Sequence, residues 1–116
     1  MRRYQVLFHI NETAKWTALL SNVSNLLGDL AEEGIAIEVV ANGPAVIGYL
    51  PGEGEVEALA AMAALAERQV DFVACGNSLR ARQIQPTALP DWVRVVPAAI
   101  TELVKGQAKG YIYIKL

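Results

Sequence analysis

Five short apolar runs recur along the chain, and each has the length and composition of a β-strand. The first two runs, Tyr4–Ile10 and Ile35–Ala41, are almost continuously apolar, which is typical of parallel strands buried on both faces. The other predicted strands cover residues 70–75, 92–96 and 111–116. The pattern therefore predicts a sheet of five strands.

A long amphipathic helix is predicted after the first strand. Between Trp16 and Leu30, large apolar residues recur every three or four positions, which gives a helix one apolar face. The residues Asn11, Glu12 and Thr13 are of the types that cap helices, so we expect them to cap this one.

Shorter helices are predicted over residues 45–50, 55–68, 77–85 and 97–109, although residues 45–50 also fit a strand. Strand and helix therefore alternate along the whole chain, without an internal repeat or a linker. Such alternation predicts a single α/β domain over residues 1–116, with a parallel sheet and helices on both faces.

The composition suggests self-association and excludes several classes of partner. Of 116 residues, 53% are hydrophobic and only 19% are charged, which leaves little charge to cover the surface of a small domain. A net charge of −2 gives no nucleic-acid footprint, and the basic pair Arg2 and Arg3 is too short for a binding arm. No apolar run has the length of a membrane span, and no signal peptide is recognisable, so we expect a cytoplasmic protein.

Candidate chemistry collects at one edge of the predicted sheet. Ligands of parallel α/β sheets bind at the carboxyl ends of the strands. The only histidine, His9, and the only cysteine, Cys75, both fall at such ends. Amide-bearing and turn residues share the edge with them: Asn11, Asn42, Gly43, Gly76, Asn77 and Pro97.

Cys75 has two interpretations. It ends a β-prone run just before a polar segment with Arg80 and Arg82, and helix amides or guanidinium groups there would favour a reactive thiolate. Alternatively it is a small core residue, since free cysteines are among the most buried side chains. A lone cysteine excludes an intrachain disulfide, and no Cys/His cluster indicates a metal.

Several enzyme classes are excluded by their missing motifs. The pair Gly52 and Gly54 lacks the third glycine of a dinucleotide fingerprint and follows no clear strand, and there is no P-loop lysine motif. A cysteine phosphatase would need an arginine at position 81, which is alanine. Ser78 has no nucleophile elbow around it. The sequence thus predicts no cofactor.

The residues together resemble the DsrE/DsrF-like family. The resemblance rests on segments in matching order over nearly the whole chain: His9-Ile-Asn-Glu, Asn22-x-x-Asn25-Leu-Leu, Glu38-Val-Val-Ala-Asn-Gly43, Val70-x-Phe-x-Ala-Cys-Gly-Asn-Ser-Leu79, Val96-Pro-Ala-Ala-Ile-Thr-Glu-Leu-Val104 and Gln107-Ala-Lys-Gly-Tyr-Ile-Tyr-Ile-Lys115. It implies a three-layer α/β/α domain, flavodoxin-like in general appearance, that assembles as trimers or hexamers. In sulfur-relay members a cysteine at the position of Cys75 carries sulfur as a persulfide. Many members have His-Gly after the second strand, where this chain has Asn42 and Gly43.

Three functions remain open at this point. The first is a sulfur carrier that holds a persulfide on Cys75, near His9, and exchanges it with donor and acceptor proteins. The second is an anion- or small-ligand-binding module that uses Asn11, Asn42 and Asn77, with Arg80 nearby and Cys75 inert. The third is a structural oligomer without chemistry.

Overall fold

The five strands form one parallel sheet in a computed structural model that describes residues 3–116, so Arg2 of the basic N-terminus lies outside the described residues. The strand order is β4-β3-β2-β1-β5. The bounds are β1 Tyr4–Ile10, β2 Ile35–Ala41, β3 Asp71–Cys75, β4 Val93–Val96 and β5 Ile112–Lys115. The α/β class and the parallel sheet are confirmed.

Four α-helices and three 3₁₀-helices connect the strands. The α-helices are α1 Trp16–Leu30, α2 Val56–Glu67, α3 Gly76–Ala81 and α4 Ala99–Ala108. The 3₁₀-helices are Thr13–Lys15, Gly43–Tyr49 and Pro86–Ala88. The run at residues 45–50 is therefore helical, in the tighter 3₁₀ form, and not a strand.

Two predictions about helix starts are wrong. Asn11, Glu12 and Thr13 do not cap α1 with their side chains, because the chain enters that helix through the Thr13–Lys15 turn, closed by the Lys15 amide on the Glu12 carbonyl. The last helix begins at Ala99 and not at residue 97, because the backbone of Ala98 is still extended. This delay places the first turn of α4 beside the end of β3.

The connections explain why the helices divide between the two faces. The first three crossovers step from β1 to β4 in one direction, whereas the last returns across the whole sheet to β5. Because parallel crossovers are right-handed, this reversal moves α4 to the face opposite the other helices. The result is the expected three-layer arrangement.

The first face carries most of the core. Twenty-two buried residues from the sheet, α1, α2, α3 and the 3₁₀-helix Gly43–Tyr49 pack there. Aromatic rings of Trp16, Tyr49, Phe72 and Trp92 meet with centroids 5.1–6.5 Å apart. The buried hydroxyl of Tyr49 donates to the Val73 carbonyl, so this aromatic core leaves its polar group satisfied.

The second face is thinner and depends on α4 alone. Seven buried residues form its core: Leu7, Val40, Val73, Cys75, Val96, Ala99 and Leu103. At Gly106 the helix approaches the sheet so closely that a Cβ would stand 2.9 Å from Leu7 Cδ2. Among residues 3–116 no helix has the length and hydropathy needed to cross a membrane.

The tight contact between Trp16 and Gly48 gives a stability test. The indole Nε1 donates to the Ala45 carbonyl at 2.9 Å, and a Cβ on Gly48 would lie 2.3 Å from that nitrogen. We expect Gly48→Ala to lower the free energy of unfolding by about 1–3 kcal/mol through overpacking, measured by urea denaturation.

Gly28 offers a matched control on the exposed side of α1. A Cβ there would meet nothing within 4 Å. We expect Gly28→Ala to raise stability by about 0.5–1 kcal/mol, the usual gain from replacing a helical glycine. Equal effects of the two substitutions would contradict the packing of Gly48 against Trp16.

Candidate functional site

Cys75 lies where two neighbouring strands send their chains to opposite faces of the sheet. After β3 the chain turns into α3 on the first face, and after β4 it continues to α4 on the second face. In open α/β sheets such a divergence opens the crevice where ligands bind. Cys75 is the last residue of β3 and therefore lies where the two chains diverge.

Gly76 lets the two diverging chains approach each other. A Cβ at this position would stand 2.8 Å from the Val96 carbonyl oxygen and 3.2 Å from that of Pro97. Any larger residue would push β4 and the start of α4 away from Cys75. The sequence suggested Gly76 as a ligand-binding residue; in this geometry it also has a structural role, because it brings α4 against the thiol.

The sulfur of Cys75 accepts a hydrogen bond from the start of α4. The Ala99 amide, in the first turn of α4, donates to Sγ at 3.3 Å. Burial, which leaves the residue 5% exposed, raises the pKa of the thiol. The Ser78 hydroxyl and the amides of Ala99, Ser78 and Asn77 more than offset burial, so the pKa lies below its usual value.

Ser78 connects the loop after β2 to the thiol. Its Oγ accepts a hydrogen bond from the Gly43 amide at 2.7 Å. The hydrogen of the hydroxyl is therefore free to donate to Cys75 Sγ. Gly43 has a φ of +57°, a left-handed conformation that suits glycine and points this amide at the hydroxyl. Ser78 thereby stabilises the thiolate and holds two loops together.

His9 belongs to a second cluster on the same edge. Its Nε2 lies 3.0 Å from Asn42 Oδ1, and its Nδ1 lies 2.7 Å from the Tyr113 hydroxyl. With an amide oxygen as acceptor, Nε2 carries the proton and Nδ1 accepts from Tyr113. Burial lowers the pKa of His9, the Asn42 hydrogen bond raises it, and nearby Lys115 lowers it further; the net shift is downward.

The strand order separates His9 from Cys75. His9 pairs with Val40 and Val40 with Val73, so His9 is two strands from β3 and two residues below Cys75. With strands roughly 4.8 Å apart and a rise of 3.3 Å per residue, their Cα atoms are about 12 Å apart. His9 is therefore not a direct base for the thiol in this geometry.

The remaining predicted site residues are bonded within the protein. Asn11 Oδ1 accepts from Lys115 Nζ at 3.4 Å, and Asn77 Oδ1 accepts from Arg80 Nη2. Arg82 Nη1 reaches the Ser78 carbonyl at 3.5 Å. The hydrogen bonds that lower the pKa of the Cys75 thiol come from Ser78 and from backbone amides. The guanidinium groups of Arg80 and Arg82, which the sequence suggested for this role, are not among the causes of the lowered pKa.

Three members of the site escape sequence reasoning. Ser78 stands three residues after Cys75, one helical turn away, which is a usable signal. Tyr113 reaches His9 only because β5 pairs with β1, and the Ala99 amide reaches Cys75 only because α4 begins late. Within residues 3–116, no group of three or more His, Cys, Asp or Glu side chains could hold a metal ion.

The comparisons agree with this fold. The model of the DsrE/DsrF-like family matches residues 6–116. This chain belongs to the DsrE/DsrF-like family. No curated protein matches the sequence.

Two solved structures resemble this family member. A protein of unknown function from Methanobacterium thermoautotrophicum, MTH1491, is 34% identical, with a TM-score of 0.85 over 97% of this chain and 99% of that one. The ychN protein from E. coli is 17% identical, with a TM-score of 0.82 over the same shares, and supports the fold alone. Membership of the DsrE/DsrF-like family suggests a sulfur-relay role at the level of the family.

The hydrogen bond from Ser78 gives a direct test of the thiol environment in this DsrE-like chain. We expect Ser78→Ala to raise the pKa of Cys75, because the substitution removes a donor that favours the thiolate. The measurement is the pH profile of the alkylation rate of the only cysteine.

Ser78→Thr keeps the hydroxyl and is the matched variant. We expect its profile to stay closer to the wild type than that of the alanine variant. An alanine variant with an unshifted profile would show that Ser78 does not act on the sulfur.

Proposed function

We propose that the protein is a sulfur carrier that holds sulfur as a persulfide on Cys75 and passes it to a partner thiol. The observation that carries the proposal is the hydrogen bond from the Ala99 amide to Sγ, which together with Ser78 and the amides of α3 lowers the pKa of a thiol that burial alone would raise. A thiolate is the nucleophile of sulfur exchange. Family membership points in the same direction.

The reaction needs no cofactor and no net oxidation. The Cys75 thiolate attacks the outer sulfur of a donor persulfide, a new S–S bond forms at Sγ, and the donor cysteine leaves as a thiolate. In the second half an acceptor thiolate attacks the outer sulfur. The bond to Cys75 breaks, and Sγ leaves as a thiolate that the Ala99 amide and Ser78 stabilise.

A lone cysteine suits a carrier better than an enzyme that completes its own cycle. The chain has one cysteine, so no second thiol of the same molecule resolves the persulfide. Both half-reactions therefore take place with partner proteins. His9, held by Asn42 and Tyr113 on the same edge, is placed to contact those partners and not to deprotonate Cys75.

The alternative, a small-ligand module with Cys75 lining its pocket, has less support. Surface cavities of about 230, 400 and 340 Å³ are found among residues 3–116, and Cys75 lines none of these three. An inert pocket cysteine would also not require the Ala99 amide to donate to its sulfur.

Sulfur loading tests the proposal. The protein is incubated with a persulfide donor, and its intact mass is expected to increase by one sulfur atom that a thiol reductant removes. The Cys75→Ser variant should take up none, and Ser78→Ala should load more slowly because less of its thiol is ionised. A wild-type protein that never gains sulfur would contradict the carrier function.

We also infer that the chain forms a homo-oligomer, a trimer or hexamer, through the edge strand β5. Ile112 and Tyr113 on this strand are 53% and 40% exposed, which is unfavourable for an edge strand that faces only water. Light scattering should show an oligomer for the wild type and a smaller species for Ile112→Glu. A wild type that is monomeric in solution would contradict the homo-oligomer.

A further inference from the structure

Three carboxylates converge on one nitrogen beneath α4. Arg94 Nη2 lies 2.8 Å from Asp71, 2.9 Å from Glu102 and 3.2 Å from Glu38. Asp71 also accepts from Arg94 Nε at 3.3 Å, which makes that pair bidentate. The cluster joins β2, β3 and β4 to α4, at a distance from the edge that carries Cys75.

One guanidinium cannot neutralise this cluster. Nη2 has two hydrogens for three carboxylates, and three ionised groups would leave an excess of two negative charges around Arg94. Glu38 is the buried member, 6% exposed. A buried carboxylate without a full partner is costly, so Glu38 is the group that keeps a proton.

The electrostatics agree with this assignment. Burial, a hydrogen bond with Glu102 and the charges of Glu102 and Asp71 raise the pKa of Glu38 to about 8, and Arg94 opposes them. The same hydrogen bond lowers the pKa of Glu102, burial raises it, and Arg94 lowers it again; the net shift is downward. Glu38 is therefore the carboxyl that keeps a proton, and Glu102 stays ionised beside Arg94.

The other charged and titratable groups near Glu38 come from the strands and the helix that pack around it. From β1 the neighbour is the apolar Leu7, and behind the sheet the Tyr49 hydroxyl is bonded to Val73. The open cavity of about 400 Å³ around the cluster is lined by the other groups, namely Asp71, Arg94, Glu102, Lys105, Lys109 and Tyr111. Among residues 3–116, neither lysine lies within 4 Å of a carboxylate of the cluster.

The helix held by this cluster is also the cover of the thiol. Ala99, the first residue of α4, packs on Cys75 and donates to its sulfur. Glu102 is one turn further along the same helix. The second face has seven buried core residues against twenty-two on the first, so α4 rests on the smaller of the two apolar cores.

We propose that the carboxylate cluster around Arg94 is a proton-dependent latch that keeps α4 closed over Cys75, and that ionisation of Glu38 opens the helix and admits partners to the thiol. Its use in sulfur exchange rests on the proposed function. The latch itself is independent of whether Cys75 carries sulfur.

The direction of the pH effect follows from proton binding. When α4 opens, Glu38 becomes exposed and its pKa falls from about 8 to its ordinary range. The closed state therefore binds the extra proton between about pH 5 and pH 8, and opening becomes easier by up to about tenfold per pH unit in that range. Above pH 8 both states are ionised, and the effect levels off.

The test compares the alkylation rate of Cys75 in the wild type and in Glu38→Gln from pH 5.5 to 9. Glutamine keeps the size and donates to Glu102 without titrating, so the latch stays closed. The ratio of the two rates cancels thiolate ionisation and is expected to rise up to pH 8 and then stay level. The control Glu57→Gln, on the exposed side of α2, should match the wild type.

A second measurement does not require the variant to fold. In the wild type, hydrogen-exchange protection of Ala99–Ala108, corrected for intrinsic pH dependence, should fall towards pH 8 while that of Trp16–Leu30 does not. Flat protection in α4, or a rate ratio that does not change with pH, would overturn the latch. Neither readout involves sulfur loading, so a failed latch and a failed carrier function are told apart.

Discussion

The close approach of Gly76 to the backbone of Val96 and Pro97 is the contact on which the site depends. Because of this contact, the segment after β3 can turn to the first face of the sheet while the segment after β4 passes directly beside it to the second face. The backbone stays extended through Ala98, so α4 begins at Ala99. The first free amide of the helix, that of Ala99, therefore lies beside Cys75 Sγ and donates to it. The thiol environment is thus a consequence of topology: a reversal in strand order moves α4 to the second face, and a residue without a Cβ lets it begin against the sulfur.

The two faces of the sheet have different physical character. On the first face, large aromatic and aliphatic side chains lock α1 and α2 in place, and the one buried hydroxyl among them, on Tyr49, is paired with Val73. On the second face a short apolar strip under α4 is continued by the charged cluster around Arg94. Apolar contacts of that size contribute little stability against the ordering of a ten-residue helix, so the ion pair between Arg94 and Glu102 is an important part of the contact between α4 and the sheet. The titratable cluster thus lies on the face with the smaller core.

Much of the fold follows from the hydrophobic pattern. The apolar runs locate β1 and β2 to the residue, because strands buried on both faces are almost continuously apolar. The predicted caps at Asn11 and Thr13 failed because the chain enters α1 through a 3₁₀ turn that satisfies the backbone without side chains.

Cys75, His9 and Asn42 were recognisable as edge residues, but their contacts were not, since strand order alone decides that His9 meets Tyr113 and lies two strands from the thiol. The cluster of Glu38, Asp71, Arg94 and Glu102 was invisible for the same reason: its members are up to 64 positions apart and meet only across three strands and a helix.

Activation and access oppose each other at Cys75. The Ala99 amide lowers the pKa of the thiol only while α4 is closed, and a closed α4 leaves the residue 5% exposed, too little for a partner's sulfur to approach in line. In the proposed latch, opening would give access but remove one donor, so the nucleophile that a partner meets would depend on the donors that stay with α3, namely Ser78 and the amides of Ser78 and Asn77. In the proposed carrier, a persulfide formed in the open state would be covered again when α4 closes, and so protected from other thiols between donor and acceptor. With a single cysteine, such a moving cover would let the same sulfur react with partners and stay stable without them.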